Sequence, residues 1–163
     1  MLTVYVFDLD YTLWPCWCDT HVLPPFKKQS GNTVVDRYGY QLQLYPDVED
    51  IIARLKDEGH ILVAASRTMT PKVALKLLDL FTVKGKPLRS YFDSVQYGTG
   101  LKKKHIKQAA KEVGFEDALA KGEVALFDDE SRNRDVEDIN VHFAYCRDGL
   151  TNKVLAAAQR ERS

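Results

Sequence analysis

Residues 4–13 of the chain read V-Y-V-F-D-L-D-Y-T-L. The first four are β-branched or aromatic, which predicts a short strand that is buried on both faces. Asp8 and Asp10 follow it, and because side chains alternate along a strand, both carboxylates can leave its end on the same side. Two ionised carboxylates that close repel each other, and Mg²⁺ is the kind of hard cation that would relieve the repulsion. The pattern therefore indicates a metal site, with a polar strand terminus running into a turn as the alternative.

The composition is that of one ordinary globular domain and favours no charged partner. The chain has 163 residues, of which 45% are hydrophobic and 28% charged, enough to bury a core. Lys+Arg and Asp+Glu both total 23, so no net charge attracts nucleic acid or a membrane surface. No apolar segment is long enough to span a bilayer, and we expect no signal peptide because the strand begins almost at Met1.

The cysteines and histidines predict no metal cluster. Cys16, Cys18 and Cys146 make an odd count without zinc-type spacing, so we expect reduced thiols and a cytoplasmic location. Cys16 and Cys18 lie in a loop, where exposed and oxidisable thiols are expected. The four histidines are scattered along the chain and favour structural or surface roles.

Strands and helices alternate along the chain after an irregular insertion at residues 14–44. The insertion holds a loop rich in proline and aromatic residues and a predicted hairpin over residues 33–44, too little for a separate cap domain. Further strands are predicted at residues 61–65, 92–97, 124–127 and 141–146, and helices at 46–59, 71–81, 102–114 and from 151. This alternation predicts a three-layer α/β/α sandwich with a central parallel sheet, as a single domain over residues 1–163.

Polar clusters stand where predicted strands end or the next helix begins. They are Asp8 with Asp10, Ser66-Arg67-Thr68, Lys102, and Asp128 with Asp129. Because ligands bind at the carboxyl ends of parallel strands, we expect these clusters to converge. Each also has a plainer interpretation: a turn-capping serine, a surface arginine, a solvated helix start and a helix N-cap.

These motifs resemble a known superfamily. V-F-D-L-D-Y-T-L, A-A-S-R-T, a lysine after a small-residue loop, and A-L-F-D-D-E resemble the four signature regions of the haloacid dehalogenase superfamily of aspartyl phosphatases. More narrowly, D-L-D-Y-T-L-W-P-x-W-x-D-T-H-V-x-P-P-F and F-D-D-E-x-R-N are similar to the eukaryotic magnesium-dependent phosphatase family, whose members lack a cap. The resemblance covers essentially the whole chain, and Cys16 and Cys18 depart from the apolar residues more usual in the loop.

The resemblance implies a Mg²⁺-dependent phosphomonoester hydrolase. Asp8 would be the nucleophile that forms an aspartyl-phosphate, and Asp10 would protonate the leaving oxygen and later deprotonate water. Lys102 would bring positive charge to the phosphoryl group, with Lys103 as a less favoured alternative. The other implied roles are phosphate binding by Ser66, substrate contact by Arg67, and magnesium binding by Asp8, Asp10 through its backbone carbonyl, Asp128 and Asp129.

The implied substrate is protein phosphotyrosine or a phosphosugar carried on protein, which an open site without a cap could admit. Trp14, Trp17 and Phe26 offer apolar surface to an aromatic leaving group, or else pack the loop onto the sheet. A phospho-receiver-like signalling module that accepts phosphate without turnover is the alternative function. Receivers place adjacent acids early and the accepting aspartate later, whereas this chain has D-x-D first and D-D late. A scaffold that keeps the fold without the chemistry is a third possibility.

Overall fold

The computed structural model describes residues 1–163 and contains ten strands and five α-helices. The strands are β1 (Val4–Phe7), β2 (Lys27–Gln29), β3 (Thr33–Val35), β4 (Gln41–Gln43), β5 (Ile61–Ser66), β6 (Thr82–Val83), β7 (Lys86–Pro87), β8 (Ser94–Tyr97), β9 (Val124–Asp128) and β10 (His142–Tyr145). The α-helices are α1 (Val48–Asp57), α2 (Pro71–Leu80), α3 (Lys102–Val113), α4 (Glu116–Ala120) and α5 (Asn152–Glu161). Two 3₁₀ helices span Leu88–Tyr91 and Ser131–Ile139.

Five strands form the central sheet in the order β10-β9-β1-β5-β8, and every neighbouring pair is parallel. From β1 the chain moves outward through β5 and β8, and it then returns to the other side of β1 to form β9 and β10. The strand order therefore reverses between β1 and β9. In open parallel sheets this reversal opens a crevice at the carboxyl ends of the two strands.

Helices cover both faces of the sheet, which confirms the predicted three-layer sandwich. Along β1, Tyr5 and Phe7 face the larger core with α1, α2 and α5, whereas Val4 and Val6 face a smaller core with α3. All four residues of β1 are buried, as a strand covered on both faces requires. Because β1 is packed on both faces, its position is fixed, and so is the position of Asp8 just beyond its end.

The insertion at residues 14–44 packs onto the larger core. The predicted hairpin is present as β3 and β4, with Thr33 paired to Gln43, and Gly39 in the turn has φ of +86°, which glycine adopts without strain. Strand β2 was not predicted. It pairs with β3 and extends the hairpin to three antiparallel strands.

The expectation of exposed thiols in this insertion was wrong. Cys16 and Cys18 are each 1% exposed, because the loop folds onto the core and the two thiols occupy apolar positions within it. Burial raises the pKa of both thiols, so they stay protonated and weakly nucleophilic. Cys146 is also buried, and all three cysteines are unpaired.

Several predicted boundaries shift by one or two residues. Helix α1 begins at Val48 and not at Pro46 because Asp47 is its N-cap. Strand β8 begins at Ser94 because Phe92 still caps the preceding 3₁₀ helix. Helix α3 ends at Val113, one residue before the predicted end, and Gly114 caps it in the left-handed region. The chain has no helix that combines the length and the apolarity needed to cross a membrane.

Candidate active site

The end of β1 places Asp8 at the centre of a polar cluster. One oxygen of its carboxylate, Oδ1, accepts a hydrogen bond from the Lys102 ammonium at 2.8 Å, and Oδ2 accepts one from the Thr12 hydroxyl at 3.0 Å. Thr12 is fully buried and was not predicted to contribute. Its position four residues after Asp8, within D-x-D-x-T, is the signal that could have indicated this contact.

Lys102 is the lysine that enters the site. It begins α3, is 1% exposed, and its ammonium lies 2.8 Å from Asp8 and 3.4 Å from Asp128. Burial by itself would lower the pKa of Lys102, but the charges of Asp8 and Asp128 outweigh burial and raise it. Lys103, the alternative from sequence, points outward and pairs with Asp138 at 3.4 Å.

Asp128 ends β9 and Asp129 follows it, on the other side of the reversal point. Asp128 accepts hydrogen bonds from the Glu130 amide at 2.9 Å and the Asn133 side chain at 2.8 Å. Burial, with the nearby Asp8, raises the pKa of Asp128 to about 6. Burial and Asp8 also raise the pKa of Asp129, to about 8. Burial and the close approach of the carboxylates thus both disfavour the ionised forms of Asp128 and Asp129.

The donors at this position fit a divalent cation. One carboxylate oxygen from each of Asp8, Asp128 and Asp129 lies within 4.8 Å of the others. Asp129 Oδ1 is buried without any hydrogen-bond partner, and a buried polar atom is costly unless something binds it. Three converging carboxylates with one unused oxygen are the hard ligand set that Mg²⁺ prefers. The predicted ligands Asp8, Asp128 and Asp129 are therefore together.

The Asp10 carboxylate is held apart from this cluster. Its Oδ1 accepts hydrogen bonds from Trp14 Nε1 at 2.7 Å and the Cys18 amide at 3.2 Å. Burial raises the pKa of Asp10 to about 6, and the charge of Asp8 adds to the effect. A carboxyl group that titrates near neutral pH can carry a proton to or from a substrate.

The end of β5 supplies the opposite wall. Ser66 is buried and its Oγ accepts a hydrogen bond from the Thr68 amide at 3.2 Å, which leaves the hydroxyl proton for another acceptor. Arg67 donates to Asn133 Oδ1 at 3.3 Å and to the Thr99 carbonyl at 3.5 Å. Asn133 thus connects Arg67 to Asp128, a role that was not predicted although the asparagine stands in F-D-D-E-x-R-N.

These residues surround one cavity of about 400 Å³. Its lining residues are Asp8, Asp10, Trp17, Asp19, Ser66, Arg67, Thr68, Lys102, Asp129, Glu130, Arg132 and Asn133. Trp17 is the one hydrophobic residue among them and is 49% exposed. Its ring stacks on His21 with centroids 5.3 Å apart, which makes an aromatic surface at the mouth.

Trp14 and Phe26 do not offer the apolar surface that was considered for them. Trp14 is fully buried and stacks on Phe81 with ring centroids 5.8 Å apart. Phe26 packs against the larger core and does not line the cavity. Both rings are held by the fold of the loop onto the core, so only Trp17 faces the site.

Comparisons with known proteins show the family of the chain. The sequence model of the Acid Phosphatase family matches residues 1–162. A candidate magnesium-dependent phosphatase of Saccharomyces cerevisiae is 44% identical over 89% of this chain and 86% of its own length. Magnesium-dependent phosphatase 1 of Homo sapiens is 40% identical over 93% of this chain and 81% of its own length.

Solved structures share the fold. A candidate haloacid dehalogenase-like hydrolase from Bacteroides fragilis superposes with a TM-score of 0.64 at 16% identity, covering 96% of this chain and 93% of its own. A structure of the N-terminal part of another Bacteroides fragilis protein, which contains a phosphatase domain, gives a TM-score of 0.61 at 12% identity over 88% of this chain and 35% of its own. The chain belongs to the Acid Phosphatase family, and its fold is that of the haloacid dehalogenase-like hydrolases.

Proposed function

We propose that the protein hydrolyses phosphate monoesters with Mg²⁺ as cofactor and forms an aspartyl-phosphate on Asp8. The placement of Asp8 carries this proposal: its carboxylate lines the cavity, contacts the Lys102 ammonium at 2.8 Å and lies within reach of two further carboxylates. The names of the Saccharomyces cerevisiae and Homo sapiens relatives support magnesium as the metal.

In the first step, an oxygen of Asp8 attacks phosphorus and the bond to the ester oxygen breaks. The leaving oxygen takes its proton from Asp10, whose pKa of about 6 keeps part of the population protonated near neutral pH. Lys102 and the free hydroxyl proton of Ser66 donate to the non-bridging oxygens of the phosphoryl group. Asp8, Asp128 and Asp129 would hold Mg²⁺, which would supply positive charge to offset the repulsion between Asp8 and the phosphate.

In the second step, Asp10 is ionised and takes a proton from water. The oxygen of that water attacks phosphorus, the bond to Asp8 breaks, and inorganic phosphate leaves with Asp8 regenerated. Phosphorylated Asp8 has no carboxylate free for acid–base chemistry, which explains why the site needs a second aspartate two residues away. Trp14 and the Cys18 amide keep that aspartate beside the cavity.

The site is suited to a phosphate carried on a large molecule. Residues 14–44 wall the cavity on one side and, without a separate cap domain, leave its mouth open to protein-sized substrates. Trp17 can contact an aromatic leaving group there. Protein phosphotyrosine and phosphosugars carried on protein are therefore the proposed substrates. The three unpaired thiols support a reducing compartment such as the cytoplasm.

Turnover by variants of the two aspartates tests the mechanism. Asp8→Asn removes the nucleophile and is expected to abolish hydrolysis of p-nitrophenyl phosphate. Asp10→Asn is expected to slow it by about 10²–10⁴-fold, the usual contribution of a general acid–base group. Substantial activity in Asp8→Asn would refute the mechanism. A wild-type protein that accepts one phosphate per chain and then stops would instead be a receiver-like module.

The substrate class needs a separate comparison. We expect kcat/KM to be higher for a phosphotyrosine peptide than for small sugar phosphates, and higher for aryl than for simple alkyl phosphates. Removing the ring with Trp17→Ala is expected to reduce the preference for aryl esters, because that ring lines the mouth. A strong preference for a small sugar phosphate without detectable peptide turnover would contradict the open-site reasoning.

A further inference from the structure

A second cavity, which we call the lysine groove, runs along α3 outside the active site. It has a volume of about 480 Å³. The residues that matter here are Leu101, Lys103, Lys104, Lys107, Lys111 and Ile139. Catalysis as proposed uses none of them, so the groove needs its own explanation.

The groove neighbours the active site, because the same two elements contribute residues to both cavities. Helix α3 begins with Lys102 in the catalytic cavity and lines the groove with its later residues. The 3₁₀ helix Ser131–Ile139 carries Asn133 at the catalytic cavity and ends with Ile139 in the groove. A polypeptide whose phosphorylated residue occupies the cavity can therefore continue into the groove.

The groove concentrates unpaired positive charge in a chain whose net charge is zero. Lys103 pairs with Asp138, whereas Lys104, Lys107 and Lys111 make no ion pair. All three are exposed. The spacing of four residues between Lys107 and Lys111 puts their side chains on one face of the helix.

The apolar residues of the groove are aliphatic. Leu101 is half-exposed, and neither it nor Ile139 offers the aromatic stacking surface that single-stranded nucleic acid uses. We propose that the lysine groove binds an acidic segment of the substrate protein next to the phosphorylated residue. This inference rests on the proposed function, and it adds which amino-acid sequences around the phosphorylated residue the enzyme would prefer.

The dimensions of α3 define where the acidic residues must lie. Lys104 and Lys111 are seven residues apart, which is about 10 Å along a helix axis. An extended peptide advances about 3.3 Å per residue, so three or four of its residues span the groove. Glutamates at roughly the second to fifth positions beyond the phosphorylated residue, on one side of it, would face the lysines.

Four substrates and two double variants test the inference in the full-length protein. The substrates are phosphotyrosine peptides with four glutamates on the amino side, four on the carboxyl side, or glutamines at both, and p-nitrophenyl phosphate. The groove variant is Lys107→Glu with Lys111→Glu. The control is Lys72→Glu with Lys76→Glu, which makes the same charge change at the same spacing on α2, on the opposite face of the sheet.

We expect one acidic peptide to have a KM about tenfold lower than that of the glutamine peptide, as several weak ion pairs acting together would give. The groove variant is expected to lose this advantage while the α2 control keeps it, with kcat and the hydrolysis of p-nitrophenyl phosphate unchanged in both. Raising the salt concentration should reduce the advantage because exposed charges are screened.

Equal KM values for the acidic and glutamine peptides in the wild type would overturn the groove assignment, as would equal losses in the two double variants. Failure of the wild type to hydrolyse p-nitrophenyl phosphate would refute the proposed function instead. In that case, anisotropy of a labelled, unphosphorylated acidic peptide still measures the groove. Binding that only the groove variant loses supports the assignment, and no binding to the wild type overturns it.

Discussion

Replacing Trp14 with phenylalanine isolates the group that orients the proposed general acid. Trp14 Nε1 donates to Asp10 Oδ1 at 2.7 Å, while the indole ring stacks on Phe81 in the core. Phenylalanine keeps an aromatic ring for that stack and removes the donor. A hydrogen bond to a charged group contributes about 1.5–3 kcal/mol. The Cys18 amide at 3.2 Å still holds the same oxygen, so we take the lower end of that range.

A loss of about 1.5 kcal/mol in the positioning of Asp10 corresponds to about a tenfold fall in rate. The loss should depend on the leaving group, because a poor one needs its proton more than a good one does. We expect Trp14→Phe to lower kcat about tenfold for a simple alkyl phosphate and less than about twofold for p-nitrophenyl phosphate.

Phe81→Leu is the matched control, since it removes the ring stack but leaves the donor in place. It is expected to lower thermal stability without changing the ratio of the two rates. The reasoning would be refuted if Trp14→Phe slowed both substrates equally, because a purely structural defect has no reason to discriminate between leaving groups.

Three other predictions concern Lys102 and the metal. Lys102→Met is expected to reduce kcat by about 10²–10³-fold, as for other donors to transition-state charge. Lys103→Met loses only the outward pair with Asp138 and should stay within about twofold of the wild-type kcat. Equal losses in the two variants would show that the wrong lysine is assigned. EDTA should abolish turnover, Mg²⁺ should restore it and Ca²⁺ should inhibit, because Ca²⁺ is larger and takes more ligands; full activity in EDTA would contradict the metal site. In the metal-free protein, burial raises the carboxyl pKa of Asp10 to about 6 and that of Asp129 to about 8, so their stabilising effect is complete at low pH and is lost as the pH rises through these values. Calorimetry should therefore show a Tm that falls between about pH 4 and pH 8 without metal, and a Mg²⁺-induced gain that grows over that range. At a hundredfold excess of Mg²⁺ over Kd, that gain would be about 2.7 kcal/mol, or about 5–10 °C for a domain of this size; a Mg²⁺ gain that shrinks as the pH rises would contradict the assignment.

The central sheet and the ends of its strands could be predicted because they depend on simple patterns. The buried runs before Asp8 and Asp128 predict strands, and polar residues after parallel strands must meet at one edge. The convergence of these aspartates follows from that topology. Their separation and the unused oxygen of Asp129 depend on side-chain placement that no period in the sequence specifies.

The insertion at residues 14–44 shows where prediction from sequence stops. Its loop has no hydrophobic period, so nothing in the pattern indicates that Trp14 would turn inward and donate to Asp10. The burial of Cys16 and Cys18 follows from the same fold. Strand β2 has three exposed polar residues, and it exists through pairing with β3 rather than through any apolar alternation.

The account depends most on the covalent intermediate at Asp8, and one measurement addresses it directly. Asp10→Asn slows attack by water, while the good leaving group of p-nitrophenyl phosphate needs little acid assistance, so the intermediate should accumulate in this variant. After rapid acid quenching and digestion, mass spectrometry of the peptide that contains Asp8 should show the added mass of one phosphoryl group on that residue. Turnover without any phosphorylated Asp8, or a phosphoryl group on a different residue, would contradict the proposed mechanism.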